Sequence, residues 1–291
     1  MVLSRAPVEM AAALDLVGLR PLMARSTGSS EVAIGLVDGP VVDNHPDLGS
    51  ARIRNLRPLG SCVVPASTAC SHGTFVAGIL VARRGSAAPA ICPGCTLLVR
   101  PLFHEREIGD PTRNPTPREL AEALVDCVRA GARIVNLSLS TGAPSISRER
   151  PLNEALDFAA GRGVIVVAAA GNDGMVGTSA ITRHPAVIPV VSADRNGWPS
   201  RSSNLGGSIG RRGLSAPGEA IESLNSTGST RIHGGTSSAA AFVTGTVALL
   251  WSLATHADAS EIRTAVLGVG PRQAVRPPLL NASDAMQRLG K

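Results

Sequence analysis

Val32-Ala33-Ile34-Gly35-Leu36-Val37-Asp38-Gly39-Pro40 decides the fold. The run from Val32 to Val37 is continuously apolar and of strand length, without the alternation of a half-exposed strand. That pattern suits a strand buried on both faces. It delivers Asp38 at its C-terminal end, immediately before the turn residues Gly39 and Pro40. In open parallel sheets ligands bind at that end of the strands. Asp38 is therefore either a turn cap or a functional carboxylate.

The same kind of run recurs downstream at Thr96–Val99, Ile134–Leu139, Val164–Ala169 and Ala186–Val191. Between these runs lie helical patterns. One starts at His72 and runs to Ala82. A second spans Pro117–Ala130, with Pro117 in its first turn and Gly131 just past its end. A third spans Leu152–Ala160 and is closed by Gly161. The alternation predicts an α/β fold, a mostly parallel twisted sheet with helices on both faces. Arg52–Val64 reads as short strands with turns, and Asp194–Thr230 as turn-rich with short strands at most. We expect one domain over residues 1–291. Residues 1–30 form an N-terminal helix (Pro7–Val17) and a polar turn (Arg25–Ser30), and residues 255–291 hold closing helices at Ala259–Leu267 and Ser283–Leu289.

Composition narrows the function classes. At 291 residues and 44% hydrophobic, the chain can bury a real core. Aromatics are only 2%, so that core must be built from Val, Leu, Ile and Ala. The net charge of +6 rests on arginine, the sole lysine being Lys291. A basic surface attracts acidic peptides or nucleic acid. No dense basic run with interleaved aromatics supports nucleic acid, which we do not expect as a partner. Met1–Glu9 lacks the features of a secretory signal, which predicts a cytoplasmic protein. The most apolar window, Ala239–Leu253, contains Thr244, Gly245 and Thr246 and is short for a membrane span, so a buried core helix is expected.

Gly234-Gly235-Thr236-Ser237 precedes that window. Ser237 sits where a glycine-rich turn meets the start of a helix, close to unpaired backbone N–H groups and the positive helix end. Alone it reads as an N-cap. With Asp38 and His72 it has a second reading. Serine is a poor nucleophile, so an imidazole must take its proton and a carboxylate must orient that imidazole. Asn172, in a Gly-Asn turn after a strand, is the candidate side-chain oxyanion donor, beside the Ser237 N–H.

These residues resemble the subtilisin-like serine proteases over Val32–Leu253. Leu36-Val37-Asp38-Gly39 with His45-Pro46-Asp47-Leu48 is similar to the family's Asp motif, and His72-Gly73-Thr74-Phe75-Val76-Ala77-Gly78 to its His motif. Ala170-Gly171-Asn172-Asp173-Gly174 is similar to the oxyanion motif, Gly235-Thr236-Ser237 to the Ser motif, and Ser215-Ala216-Pro217-Gly218 to a family turn. The order Asp, His, Ser is the family's. The resemblance implies a subtilisin-like fold and peptide hydrolysis, with Asp38, His72 and Ser237 as the triad. It also implies a peptide substrate added as a strand along Ser138, Leu139 and Ser140, with Ala169, Ala170 and Gly171 lining the pocket for the residue before the cut.

Departures refine the expectation. Asp38-Gly39-Pro40-Val41 resembles the cyanobactin-maturation proteases, which trim leader or follower peptides, and so implies a precursor-peptide substrate. Phe75, Ala241 and Phe242 stand where the family usually has His, Pro and His. Arg83-Arg84-Gly85-Ser86 stands where calcium-loop asparagines are expected, and Asp47 alone is no calcium site. No metal and no cofactor are expected. There is no room for a chaperone-like prosegment before Ala33, which implies a directly active enzyme. A non-catalytic peptide-binding module would need a broken triad, and a macrocyclase a helical insertion near the His helix; neither feature is seen. The five cysteines are odd in number, against a complete disulfide framework. Cys92-Pro93-Gly94-Cys95 has the spacing of a redox pair or of half a zinc site, to which Cys62 and Cys70 could contribute. Cys127 is assigned to the core.

Overall fold

Strand β1 (Ala33–Asp38) lies inside a seven-stranded, wholly parallel sheet. The computed structural model describes residues 6–42, 44–57, 62–88, 90–103, 115–139, 146–268 and 272–290. The other strands are β2 (Arg52–Asn55), β3 (Thr96–Pro101), β4 (Ile134–Leu137), β5 (Ile165–Ala169), β6 (Val187–Ala193) and β7 (Leu214–Pro217), in the order β2-β3-β1-β4-β5-β6-β7. An antiparallel hairpin, β8 (Ile221–Leu224) and β9 (Thr230–His233), stands apart. Helices α1 (Ala6–Leu16), α2 (Leu19–Arg25), α3 (Thr68–Val81), α4 (Pro117–Arg129), α5 (Ile146–Gly161), α6 (Ala180–Arg183), α7 (Gly207–Arg212), α8 (Thr236–Leu253), α9 (Ala259–Leu267) and α10 (Ala282–Arg288) complete the chain.

The apolar strands face two cores, as the period-2 geometry of a strand requires. Ile34, Leu36, Leu97, Val99, Ile134 and Val167 meet α3 and α8 on one face. Val37, Leu98, Val135, Leu137 and Val166 meet α4 and α5 on the other. The fold class read from the sequence is the one found. Helix α8 packs across β4–β7 and against α3. It is long and apolar enough to cross a membrane, yet most of it is buried inside the protein.

Several local expectations are corrected. A second N-terminal helix, α2, follows Gly18, which takes a left-handed φ of 62° as its cap. Pro21 sits in the first turn of α2, where its missing N–H costs nothing. Helix α3 begins at Thr68, capped by the Ser67 side chain accepting from the Cys70 N–H, so His72 lies in its second turn and not at its start. Helix α5 starts at Ile146 and carries Pro151 inside it. The stretch Asp194–Thr230 contains a short helix, α7, besides strands. Helix α4 has a full capping box, Thr116 with Glu119, besides the Pro117 start read from the sequence.

Cys62 and Cys70 form a disulfide with each other, so they complete no zinc site with Cys92 and Cys95. Cys92, Cys95 and Cys127 are free and buried. Burial pushes the Cys127 thiol up to about 12, as fits a core residue. The Cys92 thiol is raised well above its usual range, first by its hydrogen bond with Cys95 and then by burial.

Candidate functional site

Asp38 ends β1 and is fully buried. Its Oδ1 accepts from its neighbour's Gly39 N–H (2.6 Å) and from His72 Nδ1 (2.7 Å). The approach of α3 to β1 is made by backbone: a Cβ on Gly73 would lie 2.4 Å from the Gly39 carbonyl oxygen, and one on Gly39 2.0 Å from the Ala69 oxygen. Any side chain there would hold the helix off and separate the pair. Asp38 Oδ2 has no partner among the described residues although it is buried. An ionised carboxylate only accepts, so the proton between Asp38 and His72 belongs on Nδ1 and leaves Nε2 as the acceptor on the cleft side.

The His72 ring is about a quarter exposed (27%). Burial is the largest influence on it and disfavours the imidazolium. The Asp38 charge and hydrogen bond together outweigh burial, and Arg231 opposes them weakly, so the His72 pKa ends above its usual 6.5.

Ser237 lies one residue inside α8. Gly235 is the N-cap residue, with φ at 130°, so the serine is not the cap. Its N–H is one of the helix-start donors without an intrahelical acceptor. The Ser237 hydroxyl donates to the Ser138 carbonyl (3.3 Å) rather than to His72. Catalytic hydrogen bonds of this kind often tighten only when substrate is present. Asn172 Oδ1 accepts from the Thr236 N–H (2.9 Å). Only the amide oxygen can take that proton, so the side chain is fixed with Nδ2, its donor end, unused among the described residues. The Thr236 hydroxyl accepts from the Gly171 N–H (3.2 Å) and ties the two loops together.

A cleft of about 210 Å³ gathers His72, Ser138, Leu139, Ala169, Gly171, Asn172 and Ser237, with Thr68, Ala69, Phe103 and Thr236 completing its wall. Ala170 is not in it: its side chain packs with Val191 and Ile209, because alternate residues at a strand end face opposite ways. Ser140 lies outside the described residues. Ser138 is held from behind by a buried relay that the sequence reading did not include. The Thr244 hydroxyl donates to Asn136 Oδ1 (2.8 Å), and Asn136 Nδ2 donates to the Ser138 hydroxyl (2.7 Å). A polar asparagine inside an otherwise apolar strand is the signal that could have found it.

Asp47, weighed as a calcium ligand, is taken by Arg83 (2.9 Å). Arg84 donates to the carbonyls of Met23 (2.5 Å), Ser26 (2.6 Å) and Ile91 (2.7 Å). Among the described residues, no group of three or more His, Cys, Asp or Glu is placed to hold a metal ion.

The Subtilase family profile matches residues 29–269. Subtilisin amylosacchariticus of Bacillus subtilis subsp. amylosacchariticus is 30% identical over 236 residues, covering 78% of this chain and 56% of that protein. The chain spans about half the length of several curated subtilisins it matches. Among solved structures, the patellamide maturation protease PatA superposes with a TM-score of 0.77 at 30% identity, covering 90% of this chain and 98% of PatA. The prenylagaramide maturation protease PagA gives 0.82 at 28% identity, covering 94% and 98%.

Proposed function

The chain belongs to the subtilase family, and from that premise we propose that it is a serine endopeptidase with Ser237 as nucleophile. His72 Nε2 takes the Ser237 proton as the oxygen attacks the scissile carbonyl, and then passes it to the leaving amine. Asp38 holds the tautomer and stabilises the imidazolium. Asn172 Nδ2 and the Ser237 N–H stabilise the oxyanion. Water then releases the acyl group from Ser237 by the same proton route. The observation that carries the reading is the 2.7 Å Asp38–His72 bond opening on a cleft that also holds Ser237 and Asn172.

The substrate is a peptide lying along Ser138, Leu139 and Ser140, with Ala169 and Gly171 against the residue before the cut. Likeness to two proteins named as maturation proteases supports a precursor peptide as the natural substrate. We place the reaction in the cytoplasm, in keeping with three free thiols among the five cysteines. The Cys62–Cys70 bond must then withstand a reducing compartment, which differential alkylation in fresh lysate reads directly.

A fluorophosphonate probe should label the folded protein at Ser237 and fail on Ser237→Ala. Absence of labelling on folded protein sinks the proposal. One defined cut in a short peptide encoded beside the gene supports maturation, whereas indiscriminate digestion of unfolded proteins opposes it.

A further inference from the structure

The β8–β9 hairpin forms the stretch of chain that runs into Ser237, and it is fastened to α3. The Ser223 hydroxyl on β8 donates to the Phe75 carbonyl (2.7 Å). Arg231 pairs directly with Ser223 across the hairpin, so both side chains lie on the face turned towards α3. Arg231 donates to the hydroxyl of Ser71, the residue before His72, and its guanidinium carbon stands 6.0 Å from the centre of the Phe75 ring. His233, two residues on and therefore on the same face, meets the Phe75 ring edge-on at 5.7 Å.

Phe75 thus gives the departure from the family's His motif a physical role, as the platform for two β9 side chains beside His72. Arg231 has five N–H donors, and among the described residues only the Ser71 hydroxyl takes one. It has no carboxylate partner there. Its charge partly offsets the rise of the His72 pKa, and adds to burial in lowering that of His233. An arginine held in place but left without a counter-charge beside a reaction centre is suited to an anionic group brought by a ligand.

The chemistry of the proposed reaction says which part of the substrate meets it. The acyl half lies along Ser138 and Ala169–Gly171. His72 gives its proton to the leaving amine, so the leaving half must start against His72, and Arg231, hydrogen-bonded to the residue before it, is a cation whose charge reaches it. We infer that Arg231, seated on Phe75 beside His233, is a specificity-determining residue that binds an Asp or Glu carboxylate within two residues after the cut bond. This rests on the hydrolase reading above, and the test separates the two.

One portion of the full chain is treated with the fluorophosphonate probe to read Ser237, and a separate, untreated portion is used to digest a proteome-derived peptide library whose cut bonds are read by mass spectrometry. Peptides matched except for Glu or Gln after the cut follow. Wild type should enrich acidic residues at the first or second position after the cut and favour Glu over Gln roughly tenfold in kcat/KM. The preference should shrink as salt is raised. Arg231→Lys should retain it, Arg231→Gln should bring the ratio to about one, and Arg231→Glu should favour Lys instead. A purely structural arginine would scale all cuts together and leave the ratio alone. If Ser237 is labelled but the library is uncut, or is cut without acidic enrichment, or if the ratio survives Arg231→Gln, this inference falls by itself. An unlabelled Ser237 takes the hydrolase reading with it.

Discussion

His72 is pulled by burial towards neutrality and by Asp38 towards the imidazolium, and Asp38 prevails. Two consequences follow with opposite pH dependence. A base must be unprotonated, so the acid limb of kcat/KM should have its midpoint above 6.5, and Arg231→Gln should move it further up by removing a nearby positive charge. For folding, a pKa raised in the native state adds stability that is fully present below the unfolded value near 6.5 and is lost as pH rises through the folded value. Denaturant titrations of Ser237→Ala, which cannot digest itself, should therefore show this contribution disappearing over the window in which activity appears. Asn172→Ala should lower kcat by about 10²–10³-fold with little change in KM, a magnitude set by the corresponding donor in subtilisins. Loss in KM alone would mean that Asn172 only holds the loop. At this scale the sequence was legible where chemistry restricts residue type, as at Asp38, His72, Asn172 and Ser237. Arg231 was not legible, because one arginine among many has no pattern until a strand register sets it beside Ser71.

The elements were legible to the extent that their signals are local. Helix α4 carries a proline start and a glycine stop in sequence, and its bounds are close to those read from them. Helix α3 was misplaced by four residues, because its cap, Ser67, sits in a polar stretch that also reads as a turn, while the apolar residues that mark the helix come later. Helix α7 has a Gly-Ser start and two arginines, and shows no helical pattern until it packs on β6. The contact of α3 with β1 is the element-scale feature most open to test. Gly73→Ala places a Cβ against the backbone oxygens of Gly39 and Pro40, at 2.4 and 2.5 Å. Neither can swing aside as a side-chain tip would. The substitution should cost about 1–3 kcal/mol in denaturant unfolding and should lower kcat more than a surface alanine of equal cost, because it separates Asp38 from His72. Equal losses would mean that the spacing of the two elements does not govern the pair.

Across the whole molecule, alternation of apolar strands and helices was enough to fix layers and strand direction, since the central strands β1, β4, β5 and β6 are buried on both faces. It did not fix strand order, which depends on pairings between distant segments, nor which cysteines meet. The Cys62–Cys70 bond joins the loop before α3 to the helix that carries His72, a closeness that spacing alone left open. The arginines at Arg83 and Arg84 have the widest reach. One neutralises Asp47, and the other draws together the end of α2, the turn after it and the chain before β3. A guanidinium keeps its charge throughout the physiological pH range and, being part of the chain, cannot be diluted or stripped away. Inactivation half-lives on heating should therefore be the same in EDTA as in millimolar calcium, and Arg84→Met should shorten them in both. A chelator-sensitive half-life would disprove it. Arg83 and Arg84 are thus cross-linking cations that the protein carries covalently, and the durability they lend is expected to stay the same whatever the mineral content of the medium.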